Sequence, residues 1–244
     1  MLSNLSYSAL LLLTALLVGP ALSAGEGAPP QEGARFADGI SIPCVPGKPF
    51  SATAVVETER YWSDGATQVR RTINLVARDS EGRTRNEVRR LMPEYFHGSP
   101  QLLSVRLFDP LTGMRTDLDP GFHVARQQLI PKEPKTAGTP NPAPRIEDLG
   151  TTTMNGLEAK GTRRTTTIAA KASGTGDPVE IEDEFWYSAE LELNLLVHHS
   201  DPRVGVDTVG LSNLKREEPP AGMFQIPAGY QVINVTSASE RTDR

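Results

Sequence analysis

One cysteine, Cys44, among 244 residues excludes an internal disulfide, so the fold has to hold by packing and hydrogen bonding alone even in an oxidising compartment. The expectation for Cys44 is a small, half-buried residue beside Pro43. Long apolar runs are also missing. The longest, Ala9 to Val18 (ALLLLTALLV), falls well short of the roughly 20 apolar residues that a membrane-spanning helix requires, so no transmembrane anchor is expected. Excess positive charge is absent too: with 25 Lys and Arg against 30 Asp and Glu, the net charge of −5 gives no reason to expect nucleic acid as a partner.

The usual catalytic signatures are missing as well. There is no G-x-S-x-G elbow, no H-E-x-x-H and no Cys-His pairing, and Gly174-Thr175-Gly176 lacks the Lys and helix of a phosphate-binding loop. His198 and His199 are adjacent, and adjacent residues on a strand point to opposite faces, so the two rings are not expected to share a metal ion. Glu180, Glu182 and Glu184 share a face, but a straight acidic row is ordinarily a solvated one. The reading is therefore of a protein that is not an enzyme and carries no cofactor.

What is present at the N-terminus is the pattern of an export signal. The apolar run is followed by Gly19-Pro20 and the small residues Ala21 to Ala24, with no Lys or Arg before it. Gly25 stands where a lipid anchor would need Cys. A signal segment over 1–24 and a periplasmic or secreted, unanchored protein are expected. A leader over 25–45, rich in Gly, Pro and Ala, and a tail over 236–244 lack the apolar content to pack.

Between them, twenty prolines and twenty-one glycines suit short strands and turns. Phe50, Ala52, Ala54 and Val56 alternate with polar residues. After the Ser63-Asp64-Gly65 turn, Val69, Ile73, Leu75 and Ala77 form the expected inward face of a second strand, leaving Gln68, Arg70, Thr72, Asn74 and Arg78 outward. Strands follow over 83–91, 103–108 and 114–118, although Val88, Leu91, Met92, Tyr95 and Phe96 also fit one helical face, interrupted by Pro93. The Pro-rich run over 131–145 is a surface loop or a linker. Beyond it the pattern resumes as 151–154, an Asn155-Gly156 turn, 157–168, 179–187, 193–199 and 204–214. About ten strands result, mainly β, with one antiparallel sheet over 46–235 completed by both halves.

Period two places Asp183 between Ile181 and Phe185 on the apolar face. A carboxylate there requires a partner, and Arg163 on the preceding strand is the expected one; the alternative is a bulge that returns Asp183 to the surface.

An ordered set of segments carries a resemblance. Pro49-Phe50-Ser51-Ala52, Arg78 to Arg85, Glu184 to Leu191, His199 to Arg203, Asn213-Leu214 and Met223 to Tyr230 together resemble a family of uncharacterised exported bacterial proteins. The ending Phe224-Gln225-Ile226-Pro227-Ala228-Gly229-Tyr230 is also similar to that of exported proteins with the lipoprotein-carrier fold, of the LolA and RseB type. The second resemblance implies a single curved antiparallel sheet, a half-barrel whose concave face holds an apolar ligand such as an acyl chain. On that basis Phe185, Tyr187, Leu195 and Val197, with Asp183 and Arg163, are the expected ligand-lining residues. The competing expectation is an envelope protein as partner, contacted through sheet edges and the Pro-rich run in a stress-sensing or scaffolding role.

Overall fold

Thirteen strands and almost no helix follow from this sequence: the computed structural model, which describes residues 40–62, 64–130 and 143–235, is 59% strand and 4% helical. In chain order they are β1 (Phe50–Tyr61), β2 (Thr67–Arg78), β3 (Thr84–Arg89), β4 (Met92–Pro93), β5 (Leu102–Asp109), β6 (Met114–Asp119) and β7 (Val124–Leu129). The second half supplies β8 (Arg145–Met154), β9 (Leu157–Ile168), β10 (Val179–Ser188), β11 (Leu193–Asp201), β12 (Gly205–Lys215) and β13 (Gln231–Asn234). All belong to one open curved sheet in the order β13-β7-β6-β5-β3-β2-β1-β12-β11-β10-β9-β8, with β4 beside β2. The halves join where β1 pairs with β12. A four-residue helix, α1 (Ala170–Ser173), sits in the β9–β10 connection.

The count exceeds the ten expected because three strands carry no readable alternation. β4 is two residues long, β7 buries only Ala125, and β13 is exposed throughout and pairs in parallel with β7. The stretch that also fitted a helix becomes β3, β4 and a turn. Where turn chemistry was explicit, the chain obeyed it. Asn155 and Gly156 both take positive φ, 52° and 74°, as a two-residue hairpin turn demands. Gly205 is required more strictly, since at φ +139° any Cβ would lie 1.8 Å from the Glu59 carbonyl oxygen.

One face of the sheet carries the main core. Phe50, Ala52, Ala54 and Val56 point into it as expected, joined by Val76, Leu193, Leu195, Val197, Val209 and Leu211. The inward face of β2 is the reverse of the expected one. Register sets Ala54 opposite Asn74 and Val56 opposite Thr72, so Thr72, Asn74 and Arg78 are buried while Ile73 is 47% exposed. Strand pairing decides which face goes in, and it overrode the hydropathy of β2. Within the stretch assigned to the leader, Ile40 and Ile42 reach the core. Residues 1–39, 131–142 and 236–244, and with them the expected signal segment, tail and most of the Pro-rich run, lie outside the described residues.

A second, smaller core lies on the opposite face, where register aligns Val105 with Leu118 and Leu118 with Ala125. It is closed by the segment after β12. Ile226 and Tyr230 pack on it before β13 attaches to β7, so the Phe224-to-Tyr230 string acts as a strap across the sheet.

Arg78 ties the upper end together. Its side chain is fully buried, and its guanidinium donates to the carbonyls of Lys48 (2.9 Å), Pro43 (2.8 Å) and Leu191 (2.6 Å) while stacking over the Phe50 ring at 5.1 Å. Arginine's planar fork can serve several acceptors in different directions at once; a shorter or apolar side chain cannot. Replacing Arg78 with Met takes the donor from three backbone carbonyls and is expected to cost about 3 kcal/mol or more, at about 1–3 kcal/mol for each buried acceptor left unsatisfied. Urea unfolding would read this as a lower midpoint with unchanged slope, and a midpoint equal to that of the native chain would contradict the clamp.

Candidate functional site

Two places bring chemistry-bearing residues together. The first is a polar row across the lower part of the main-core face. Register lines up Thr58, Asp207, His199, Asp183 and Arg164 on neighbouring strands β1, β12, β11, β10 and β9. Just above it the same face is apolar, with Val56, Val209, Val197 and Phe185 in the next row.

Asp183 is buried, as its position between apolar neighbours implied. Its partner is not Arg163. One carboxylate oxygen accepts from Arg164 Nε (3.1 Å) and Nη2 (2.8 Å), and the other lies 2.6 Å from His199 Nδ1. Arg163 pairs with Glu184 and Glu147 on the other face. The pairing sets Asp183 opposite Arg164, and a register one residue away would have chosen Arg163; hydropathy leaves that choice open because both arginines are polar. Burial pushes the Asp183 carboxyl up, but the hydrogen bonds from His199 and Arg164 together outweigh it and hold it below the ordinary carboxylate value. Reciprocally, the Asp183 hydrogen bond raises His199 above its ordinary value, against the opposing effect of burial.

The row continues outward as matched pairs. Arg60 Nη2 bonds both oxygens of Asp207 at 2.7 and 2.9 Å, and Arg203 grips Asp201 with Nε and Nη2 at 2.9 and 2.7 Å. Each carboxylate is spent on a cation from a neighbouring strand or, for Asp201, from the β11–β12 turn, an arrangement suited to charge neutralisation along the sheet. His198, on the opposite face from His199, bonds Thr208 Oγ1 at 2.9 Å.

The other expected ligand-lining residues divide. Leu195 and Val197 are 1% and 2% exposed and belong to the main core, so they offer no surface to a ligand in this state. Phe185 is half-buried, with Arg164 over its ring at 5.7 Å, and Tyr187 is half-buried past a bulge in the β10–β11 pairing. The structure brings Asp183 and Phe185 onto one face with Val197; it does not bring Arg163 there.

The second place is a groove of about 340 Å³ beside the strap, at the upper end of β3, β5 and β6. Leu107, Met114, Phe224 and Ile226 supply apolar walls, Thr84, Thr116 and Gln127 add polar atoms, and Arg83 and Asp109 are charged. Arg83 is held by Asp79 (2.5 Å) and stacks over Phe224 at 5.7 Å. Arg85 anchors the strap by donating to the Met223 carbonyl at 3.0 Å, and Glu218 accepts the Ser80 amide at 3.0 Å. Sequence reasoning missed this groove. Strands over 103–108 and 114–118 were expected, but it is their register that sets Leu107 opposite Thr116, and only the strap's return across the sheet makes that face a wall.

No known family profile matches the chain, and no curated protein does. Solved structures of similar shape include an uncharacterized conserved protein from Thermus thermophilus (12% identity, 78% of this chain and 91% of that one, TM-score 0.41). They also include a chain of the Pseudomonas aeruginosa MucA/MucB complex (15% identity, 77% and 59%, TM-score 0.40). A third is the LolA superfamily protein NE2245 from Nitrosomonas europaea (13% identity, 78% and 94%, TM-score 0.31).

The Asp183–His199 pair sets a pH dependence at both ends. A raised His199 contributes stability that is complete below its unfolded value near 6.5 and is lost as pH rises through its folded value; a lowered Asp183 contributes stability present above 3.8 and lost as pH falls through its folded value. Unfolding midpoints across pH are expected to fall on the alkaline side in the native chain, and His199→Gln is expected to flatten that limb. An unchanged alkaline limb in the variant would show that the pair contributes nothing to stability.

Proposed function

We propose that this chain is an exported, non-enzymatic binding protein whose ligand is an apolar small molecule such as a lipid or acyl chain, seated in the groove beside the strap. The observation that carries the reading is the groove itself. Its volume of about 340 Å³ falls in the range of roughly 300–1,000 Å³ usual for small-molecule sites, and Leu107, Met114, Phe224 and Ile226 give it apolar wall between polar groups that are as numerous. Arg83 at its edge, rigidly held by Asp79, is placed to meet the acidic head of a fatty acid or phospholipid. The row around Asp183 supports the same division of labour: its charges are internally matched, which suits a frame more than a reacting centre.

Titration with a fluorescent fatty acid tests this. Saturable binding is expected, and Ile226→Trp, which fills the groove from the strap side, is expected to weaken it roughly tenfold or more, the equivalent of about 1.4 kcal/mol. Undiminished binding by the variant would move the ligand elsewhere, and absence of binding by the native chain would end the reading.

A second reading, partnership with an envelope protein, is favoured by one observation. β8 is an edge strand of ten residues, exposed except at Leu149 and Met154, and among the described residues it pairs only with β9. Such an edge can accept a strand from a partner. A protein co-isolated from envelope extracts by the native chain and lost with Ile146→Lys would support it; retention by the variant would exclude β8 as the contact.

A further inference from the structure

The exposed aromatic residues are not scattered. Five aromatic side chains stand exposed among the described residues: Tyr61 (43%), Trp62 (58%), Tyr95 (80%), Phe96 (40%) and Phe122 (80%). Tyr61 and Trp62 form the start of the β1–β2 connection, Tyr95 and Phe96 lie between β4 and β5, and Phe122 is in the β6–β7 turn. Because these neighbouring strands alternate in direction, all three connections fall at one end of the sheet, opposite the Arg78 clamp and the groove. Val204, 50% exposed, joins them from the β11–β12 turn, where its carbonyl accepts the Tyr61 amide at 3.1 Å.

Positive charge accompanies the rings. Arg70, Arg71 and Arg90 are exposed at this same end, and their guanidinium groups meet no carboxylate among the described residues. Other arginines are mostly matched, both at this end, as with Arg60 and Arg203, and further along the sheet, as with Arg163 and Arg164. Acids stand close to these arginines as well: Glu57 lies directly across the β1–β2 ladder from Arg71 and Glu59 is nearer the tip, while Asp64 accepts its own turn's Ala66 amide at 2.9 Å and Asp119 caps the turn before Phe122. Glu94 stands beside Tyr95. With the chain at −5 overall, attraction to an anionic surface has to be local to these three arginines.

We propose that this end of the sheet docks on the surface of an anionic phospholipid bilayer, with Trp62, Tyr95 and Phe122 entering the headgroup region and Arg70, Arg71 and Arg90 meeting lipid phosphates. Trp and Tyr suit that layer because each has an apolar body and a polar atom that stays hydrated. The rings sit on three separate protruding tips, not in a groove, and a deformable lipid surface can receive them independently. Exposed guanidinium groups near such a surface each add about one further favourable contact with phosphate, weakened by salt. The proposal is independent of the ligand groove, which lies at the other end.

Flotation with phosphatidylcholine vesicles, with and without phosphatidylglycerol, provides the test. The native chain is expected to float with the phosphatidylglycerol vesicles and to be released by salt. Combining Trp62→Ser, Tyr95→Ser and Phe122→Ser is expected to abolish flotation, and Arg70→Gln with Arg71→Gln to weaken it roughly tenfold or more while leaving the melting temperature unchanged. Leu111→Ser removes an equally exposed apolar residue (76%) at the opposite end and is expected to float like the native chain. The proposal is overturned if the native chain stays with the soluble fraction, if the folded aromatic variant still floats, if Leu111→Ser is equally impaired, or if the surface captures a protein and no vesicles.

Discussion

A single buried guanidinium holds together parts of this molecule that have no other reason to meet. Arg78 ends β2, yet its three donors reach the segment before β1 at Pro43 and Lys48 and the β10–β11 connection at Leu191. Burying a cation is expensive unless its protons are all directed at acceptors. Those carbonyls belong to irregular backbone that the sheet's own ladders cannot satisfy, so the cost of burying Arg78 is offset by settling several backbone groups at once. With the upper end closed in this way, Ile40 is carried onto the main core and Phe50 is sandwiched beneath the guanidinium. In a chain without a disulfide, this clamp takes the place of a covalent staple.

A one-layer sheet of thirteen strands has two faces to cover and little else to cover them with. The main-core face is filled by its own curvature, by the incoming Ile40 and Ile42, and by leucines from β11. The opposite face is covered by the chain's return after β12, and because that return holds only one short 3-10 turn at Ala221–Phe224 and is otherwise irregular until β13, it leaves a groove along Leu107 and Thr116. The groove, the strap anchors at Arg85 and Glu218, and the parallel attachment of β13 to β7 are thus consequences of one connection. The two ends of the sheet differ in character: backbone carbonyls and an ordered strap at the top, protruding aromatic tips and unmatched arginines at the bottom.

Between them runs the polar row. An apolar sheet face that ended abruptly would leave the lower strands with half-buried charges; here Asp183, Asp207 and Asp201 are each matched to Arg164, Arg60 and Arg203. Among the described residues, the buried polar atoms without a hydrogen-bond partner include Thr72 Oγ1 and Asn74 Nδ2 on this face, next to Ala54 and Val56. They arise from the same cause as the exposed Ile73: β2 is oriented by its pairing with β1, and its own hydropathy points the other way.

The residues by themselves determined the class of fold and most of its strands. Alternation over 50–56 and 179–187, and turn residues such as Asn155-Gly156, act within a few positions and need no distant partner to be read. The burial of Asp183 was legible for the same reason. What only the tertiary structure decided depends on register and on long-range return of the chain. Register is a one-residue choice that flips every side chain, so it alone selected Arg164 over Arg163 and turned Thr72 and Asn74 inward. The strap crosses the sheet through residues with no period of their own, so the groove has no local signature. Arg78 reads as an outward-facing strand residue until two segments far apart in sequence, the one before β1 and the β10–β11 connection, are brought to its guanidinium.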